Sequence, residues 1–346
     1  MGTFKKVKKN IFVRVDSNKN IGLGHILRIL RIFENKNNET QISFVVDHIS
    51  DVFQKIREVK DCHFISLYNE NEKYTSEQLD AKKFVKIISI NNKPIIIADD
   101  YRLGNKWHKI VKKFTKKLIV IDDLCNRKFY ADIYINYKMN TENYIFKKSK
   151  KLNKKNTKLL IGNKYCILGK NLKKNCIKKE IVMLNFGNSF DFNNIKKLIK
   201  NLIKETIKIY ICVGIFSKNY KYIIDLEKKH KNICVIYKKL FIEKYLNEIS
   251  IFVGSKGNAI YEMSYLNTLS IFFTNTKNQH NNNSDMEKLG HHFFVEEEDL
   301  NSKKLTKLIA LLLKKNKEIK NLYKNKEVNL DKLGGKRIAN IILNEN

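Results

Sequence analysis

Between residues 11 and 33 the chain changes period twice. An alternating segment, Ile11-Phe12-Val13-Arg14-Val15-Asp16, leads through a glycine turn, Ile21-Gly22-Leu23-Gly24-His25, into Ile26, Leu27, Ile29, Leu30 and Phe33 at helical spacing. A period of two, a turn and then a period near 3.6 spell strand, loop and helix. The pattern recurs. Strand-like runs at 42–47, 62–67, 94–99, 117–122 and 132–136 alternate with helix-like stretches. A second series follows at 181–187, 207–214, 233–237, 251–254, 270–274 and 293–296. Such alternation predicts an α/β protein with parallel sheets. The only proline, Pro94, opens a strand, where a missing N–H costs least. The polar, Lys-rich stretch 169–179 separates the two series and reads as a linker, and 346 residues suit about two domains. Further helices are expected at 300–313 and 331–343, the latter broken by Gly334-Gly335.

A net charge of +33 points first to nucleic acid or an anionic surface. Its distribution argues otherwise. Only 7 of the 68 basic residues are Arg, and the Lys excess is spread along the whole chain, so no basic arm or compact basic domain stands out. We therefore expect no specific nucleic-acid partner. Four of the arginines, Arg14, Arg28, Arg102 and Arg127, stand beside the motifs below, where a planar and permanently charged fork is not replaceable by an ammonium. The six cysteines form no Cys-x-x-Cys pair and several lie in apolar strands, as reduced thiols of a cytoplasmic protein would. No apolar run approaches 18 residues, so stable membrane insertion is not expected.

The Gly22-x-Gly24-His25 turn places backbone N–H groups at a helix start, which suits an anionic ligand. It is not a dinucleotide fingerprint, since Leu27 occupies the third glycine position, and no Gly-Lys-Ser/Thr follows to make a Walker loop. His25 is either a reactive imidazole or a capping residue of that helix. Two strands end in acidic pairs, Asp99-Asp100 and Asp122-Asp123. In an open α/β sheet such ends face ligands, the alternative being that they cap the following helices. A second strand, glycine turn and helix occurs at Gly254-Ser255-Lys256-Gly257-Asn258, with Glu262 early in its helix. This turn is either a solvated surface or, with Lys256, a diphosphate site. No metal-ligand spacing is present, and neither a metal nor an organic cofactor is expected.

In order and spacing these stretches resemble the hydrolases of pseudaminic acid biosynthesis and the related SpsG-type proteins. Those act on UDP-2,4-diacetamido-2,4,6-trideoxy-β-L-altropyranose and are similar to MurG within the two-domain glycosyltransferase B superfamily. The resemblance spans nearly the whole chain. It rests on Arg14-x-Asp16, Ile21-Gly22-x-Gly24-His25-x-x-Arg28, Asp99-Asp100-Tyr101 with Trp107, and Ile121-Asp122-Asp123-Leu124 with Arg127. It continues in Asp132-Ile133-x-Ile135-Asn136, Gly162-x-x-Tyr165-x-Ile167-Leu168, Phe186-Gly187, Glu262 and Asn278-Gln279. The turn Gly187-Asn188-Ser189-Phe190-Asp191 departs from the family's Gly-Gly-Ser/Thr-Asp by one glycine fewer and an inserted Phe.

The resemblance implies two Rossmann-like domains of GT-B type facing a cleft. Residues 1–168 would carry the general base and the sugar site, 180–330 would bind UDP, and a tail helix at 331–346 would pack back on the first domain. A UDP-sugar would be hydrolysed by water attack at the anomeric carbon, with His25 as general base. Asp16 would orient its ring or hold a sugar hydroxyl, the alternative for Asp16 being a loop cap. Arg14, Gly22, Gly24, Arg28, Tyr101, Asn136, Asn278 and Gln279 would contact substrate, with burial in the core the alternative for Tyr101. Gly187, Ser255, Gly257 and Asn258 would hold the diphosphate. Glu262 would bind the ribose hydroxyls or be an exposed helix residue. The enzyme would act as a monomer. A GT-B glycosyltransferase is the alternative of the same fold, and a noncatalytic polyanion or membrane-surface binder the alternative of another class.

Overall fold

The computed structural model describes residues 9–15, 17, 22–34, 40–89, 93–138, 142–187, 192–214, 217, 219–273, 286–296, 303–322 and 328–344. The chain divides into two compact units, one of residues 1–167 and 333–346 and one of residues 168–332.

In the first unit β1 (Lys9–Val15), β2 (Thr40–Val46), β3 (His63–Ser66), β4 (Ile95–Asp99), β5 (Lys117–Ile121), β6 (Ile133–Asn136) and β7 (Lys158–Ile161) form one sheet. Its order is β3-β2-β1-β4-β5-β6-β7, and every pairing is parallel. Parallel neighbours require crossovers, which run through α1 (Gly24–Ile32), α2 (Asp51–Val59), α3 (Glu77–Ile88), α4 (Asn105–Val111) and α5 (Glu142–Leu152), except that β5 and β6 are joined by residues 122–132 without a helix. With helices on the faces, β1 and β4 are buried on both sides: Ile11, Val13, Val15, Ile96 and Ile97 are fully buried, and so is Arg14 on the opposite face of β1. Ser76 starts α3 by accepting the Leu79 N–H on its hydroxyl at 3.3 Å. The sequence pattern predicts no strand at 158–161. Lys-Leu-Leu-Ile is short and follows a basic helix, so only its pairing with β6 identifies it as a strand.

The second unit repeats the plan. Strands β8 (Lys179–Asn185), β9 (Lys208–Val213), β10 (Ile233–Tyr237), β11 (Ile249–Ser255), β12 (Leu269–Phe273) and β13 (His292–Phe294) run parallel in the order β10-β9-β8-β11-β12-β13. Its helices are α6 (Phe192–Lys204), α7 (Tyr220–Lys229), α8 (Glu243–Leu246), α9 (Ala259–Leu266), α10 (Lys303–Lys314) and α11 (Asn316–Leu322). Val182, Leu184, Leu198, Leu202, Ile251, Ile271 and Ile309 share one core cluster, so sheet and helices bury a common apolar layer.

Two expectations change. The stretch 169–179 is a packed part of the second unit rather than a free linker. Leu172 is fully buried, and the Asn247 amide bridges Asn171 and Lys173, donating to the Asn171 carbonyl and accepting from the Lys173 N–H, both at 2.9 Å. Gly334-Gly335 begins the last helix, α12 (Gly334–Asn344), rather than breaking it. The reason is proximity: a Cβ on Gly334 would stand 2.0 Å from the Cys166 carbonyl oxygen, so only glycine lets the helix start there. The helix belongs to the first unit and packs on α1.

Candidate active site

The strand order of the first sheet reverses between β1 and β4, and in open α/β sheets such a reversal opens a crevice at the carboxyl ends of the strands. The glycine turn after β1 and the acidic pair after β4 meet there. Gly22 takes a φ of 76°, Gly24 begins α1, and His25, its second residue, is buried to 8% exposure.

His25 Nδ1 lies 2.7 Å from Asp99 Oδ1. Burial alone would raise the Asp99 carboxyl, but Arg28 and His25 outweigh it and hold the group below the ordinary carboxylate range. A carboxylate only accepts, so the contact requires a proton on Nδ1, and in the neutral ring the lone pair is then on Nε2. Arg28, one helical turn on from His25, donates Nε to Asp99 Oδ2 at 2.5 Å and Nη2 to Asp99 Oδ1. Nη2 stands 3.3 Å from Nδ1 because the two donors converge on one oxygen. The remaining Arg28 nitrogen, Nη1, donates to Asp123 Oδ2 at 2.7 Å. That oxygen also accepts the Tyr101 hydroxyl at 2.7 Å, and the Tyr101 ring stands edge-on to His25 with centroids 4.9 Å apart. Asp123 is pushed up by burial and pulled further down by Arg28, then Lys138 and Tyr101, so it too stays ionised. The result is one chain of contacts, His25–Asp99–Arg28–Asp123–Tyr101, that closes back on His25.

Lys138 and Tyr137, which the sequence reading did not single out, border this chain. Burial lowers the Lys138 ammonium while Asp123 pulls it back up. The Tyr137 hydroxyl is raised by burial and faces Arg28. The available signal was position: both follow Asn136 at the carboxyl end of β6, on the edge that carries His25 and Asp99.

Two predicted contacts are internal. Arg14 is fully buried. Its donors go to Asp80 Oδ2 at 2.6 Å, Asp47 Oδ1 at 2.6 Å and the carbonyls of Val15 and Val45, which leaves none for a ligand. The side chain alternated as a strand residue should, but both faces of this sheet are covered. Asn136 is 1% exposed and uses its amide on Cys125 and Lys138. Asp122, read as ligand-facing or a cap of a following helix, has no helix after it: its carboxylate accepts the N–H groups of Leu124 and Cys125 in the turn between β5 and β6 and a bond from Arg127. Asp16, Asn278, Gln279 and the turn residues 188–191 lie outside the described residues.

In the second unit the order reverses between β8 and β11. Gly187 follows β8 with a φ of 68°, a region open to glycine, and a Cβ there would lie 3.9 Å from Ser255 Oγ, so the two turns are adjacent. Gly257 is exposed and Asn258 half-buried just ahead of α9, whose first turn holds Glu262 at 7% exposure. Lys256 is buried at 3%, its ammonium 5.2 Å over the Phe294 ring.

Comparison with solved structures agrees with this plan. The chain is similar to UDP-GlcNAc 2-epimerase from Methanocaldococcus jannaschii in complex with UDP-GlcNAc and UDP (TM-score 0.55, 16% identity, 96% of this chain and 99% of that one). It is similar to MurG from Acinetobacter baumannii (TM-score 0.57, 11% identity, 96% and 99%). It also resembles UDP-GlcNAc 2-epimerase from Neisseria meningitidis bound to UDP-GlcNAc (TM-score 0.54, 12% identity, 97% and 100%). The fold is GT-B. Residues 186–338 match the family model of the glycosyltransferase family 28 C-terminal domain, which covers most of the second unit of this GT-B chain and the start of α12. No curated protein matches the sequence. Among the described residues no helix is long and apolar enough to cross a membrane.

Proposed function

We propose that this GT-B chain hydrolyses a UDP-linked sugar to UDP and free sugar, with His25 as general base. The observation that carries the reading is the His25–Asp99 contact, which commits Nδ1 as donor, so that in the neutral ring the lone pair is on Nε2, at the order reversal of the first sheet. Nε2 takes a proton from water as the water oxygen bonds to the anomeric carbon. The bond from that carbon to the diphosphate oxygen breaks, and its electron pair leaves on UDP. Asp99 balances the imidazolium that forms, and Arg28 and Tyr101 keep both groups in place. The second unit would hold UDP: the backbone at Gly257 and Asn258 with the Ser255 hydroxyl on the diphosphate, the Glu262 carboxylate on the ribose. The motif order around His25, Asp99-Asp100-Tyr101 and Asp122-Asp123 favours a 2,4-diacetamido-2,4,6-trideoxy sugar as the substrate class.

Reaction in heavy-oxygen water with a panel of UDP-linked diacetamido sugars tests this. Label in the released sugar and none in UDP is the expected result, and label in UDP means attack at phosphorus. The match of residues 186–338 to a glycosyltransferase domain favours a second reading, in which the same base deprotonates an acceptor hydroxyl. UDP release that depends on an added acceptor selects it.

A further inference from the structure

The Asn136 amide ties the end of β6 to the turn after β5. Nδ2 donates to Cys125 Sγ at 3.2 Å, in the turn after β5, and Oδ1 accepts the Lys138 N–H at 3.0 Å, just beyond β6. The turn is the demanding piece. Cys125 has a φ of 49°, a left-handed conformation that a residue with a Cβ keeps only where its surroundings impose it. Asp122 supplies part of that constraint: its Oδ2 accepts the Cys125 N–H at 2.7 Å, the Leu124 N–H at 3.2 Å and the Tyr134 hydroxyl at 2.8 Å. The sulfur adds to it, standing 3.1 Å from the Tyr134 oxygen, 3.6 Å from Ser149 Oγ and within reach of the Asn136 amide. Between the two pinned residues stands Asp123, whose carboxylate receives Arg28 and Tyr101.

We propose that Asn136 is a positioning residue for the His25 centre. Through Cys125 it holds the turn that aims Asp123 at Arg28 and Tyr101, and through the Lys138 backbone it holds the neighbouring ammonium beside Asp123. Arg28 then reaches Asp99 with two nitrogens, and Asp99 reaches His25 with one oxygen. An amide suits this task because it donates to sulfur on one side and accepts from an N–H on the other. A carboxylate only accepts, and a methyl does neither. The side chain is 1% exposed, with its amide turned to these two partners.

The effect on rate rests on the hydrolase reading; the effect on the imidazole does not. The first experiment therefore reads the ring: proton and nitrogen NMR of histidine-labelled protein, with the hydrogen-bonded Nδ1 proton of His25 assigned by its loss in His25→Asn. Asn136→Ala and Cys125→Ala should both shift that resonance toward the position of an exposed histidine. An unchanged resonance in both overturns the proposal, whatever the reaction proves to be. The second experiment measures UDP release. Each variant should lower kcat roughly 10- to 100-fold through misplacement of the base, with KM changed less than about threefold. The double variant should be no slower than the slower single one, because both act through one linkage. A raised KM at unchanged kcat would restore Asn136 as a sugar contact, and multiplying effects would separate it from Cys125. Should Asn136→Ala not fold, Cys125→Ala alone, which removes only the sulfur, decides by the same two readouts.

Discussion

Asp99 Oδ1 accepts the Nδ1 proton of His25 at 2.7 Å although the two residues stand 74 positions apart. Strands β1 and β4 are hydrogen-bonded neighbours, with Val15 opposite Asp99, so the turn leaving one strand is delivered to the end of the other. This contact makes Nδ1 the donor nitrogen of the ring.

Asp99→Asn tests that assignment. The amide's NH2 would meet Nδ1 as a donor, favouring the tautomer with its proton on Nε2, and Arg28 would lose its carboxylate partner. The turnover of UDP release should fall roughly 10²- to 10⁴-fold, the range for general base catalysis. Circular dichroism checks that the fold persists. A near wild-type rate would remove Asp99 from the mechanism.

Arg14→Met should act on stability and not on UDP affinity. It leaves Asp80, itself fully buried, without its main counter-ion, since Arg14 meets Asp80 through Nε and Nη2. Breaking a buried pair from one side costs about 3 to 5 kcal/mol. Urea denaturation measures the loss and calorimetry with UDP the unchanged binding; the reverse outcome would return Arg14 to the ligand.

His108 predicts a pH dependence of stability. It is fully buried between Trp107 and Phe129. Burial, and secondarily Arg127, takes the imidazole from 6.5 down to about 3. The fold therefore keeps it neutral, while the unfolded chain takes up a proton below 6.5. Its contribution is complete above that pH and is lost as pH falls from 6.5 toward about 3. His108→Phe should remove this component, so the stability of the variant relative to wild type should rise across that window. Parallel pH profiles of the two urea midpoints would sink the assignment.

Glu262→Ala addresses the second unit. If the carboxylate binds ribose hydroxyls, UDP affinity should weaken by about 1.5 to 3 kcal/mol, as for a hydrogen bond to a charged group. Titration calorimetry of the folded variant measures it, and an unchanged Kd argues for a purely structural glutamate.

Local chemistry made much of this protein legible from its residues. Period-two runs ending in Asp, Asn or Gly, each followed by a helical period, identify the strand and helix alternation and hence parallel sheets, because those periods belong to short stretches of chain. The Gly22-x-Gly24-His25 turn and the Ser255 to Glu262 turn were visible for the same reason, and each lies where its sheet's strand order reverses. Partnership was not legible. Asp99, Asp100, Asp122 and Asp123 look alike in sequence, yet one orients an imidazole, one pairs with Arg102, one caps a turn and one anchors Arg28 and Tyr101. Arg14 and Asn136 carried ligand-type side chains but point into covered interior, and Gly334 reads as a helix breaker until the Cys166 carbonyl stands beside it. The residues by themselves determined which segments fold and where polar groups gather. Only the tertiary structure decided which donor each acceptor meets, because that depends on strand order and on contacts between segments tens of residues apart.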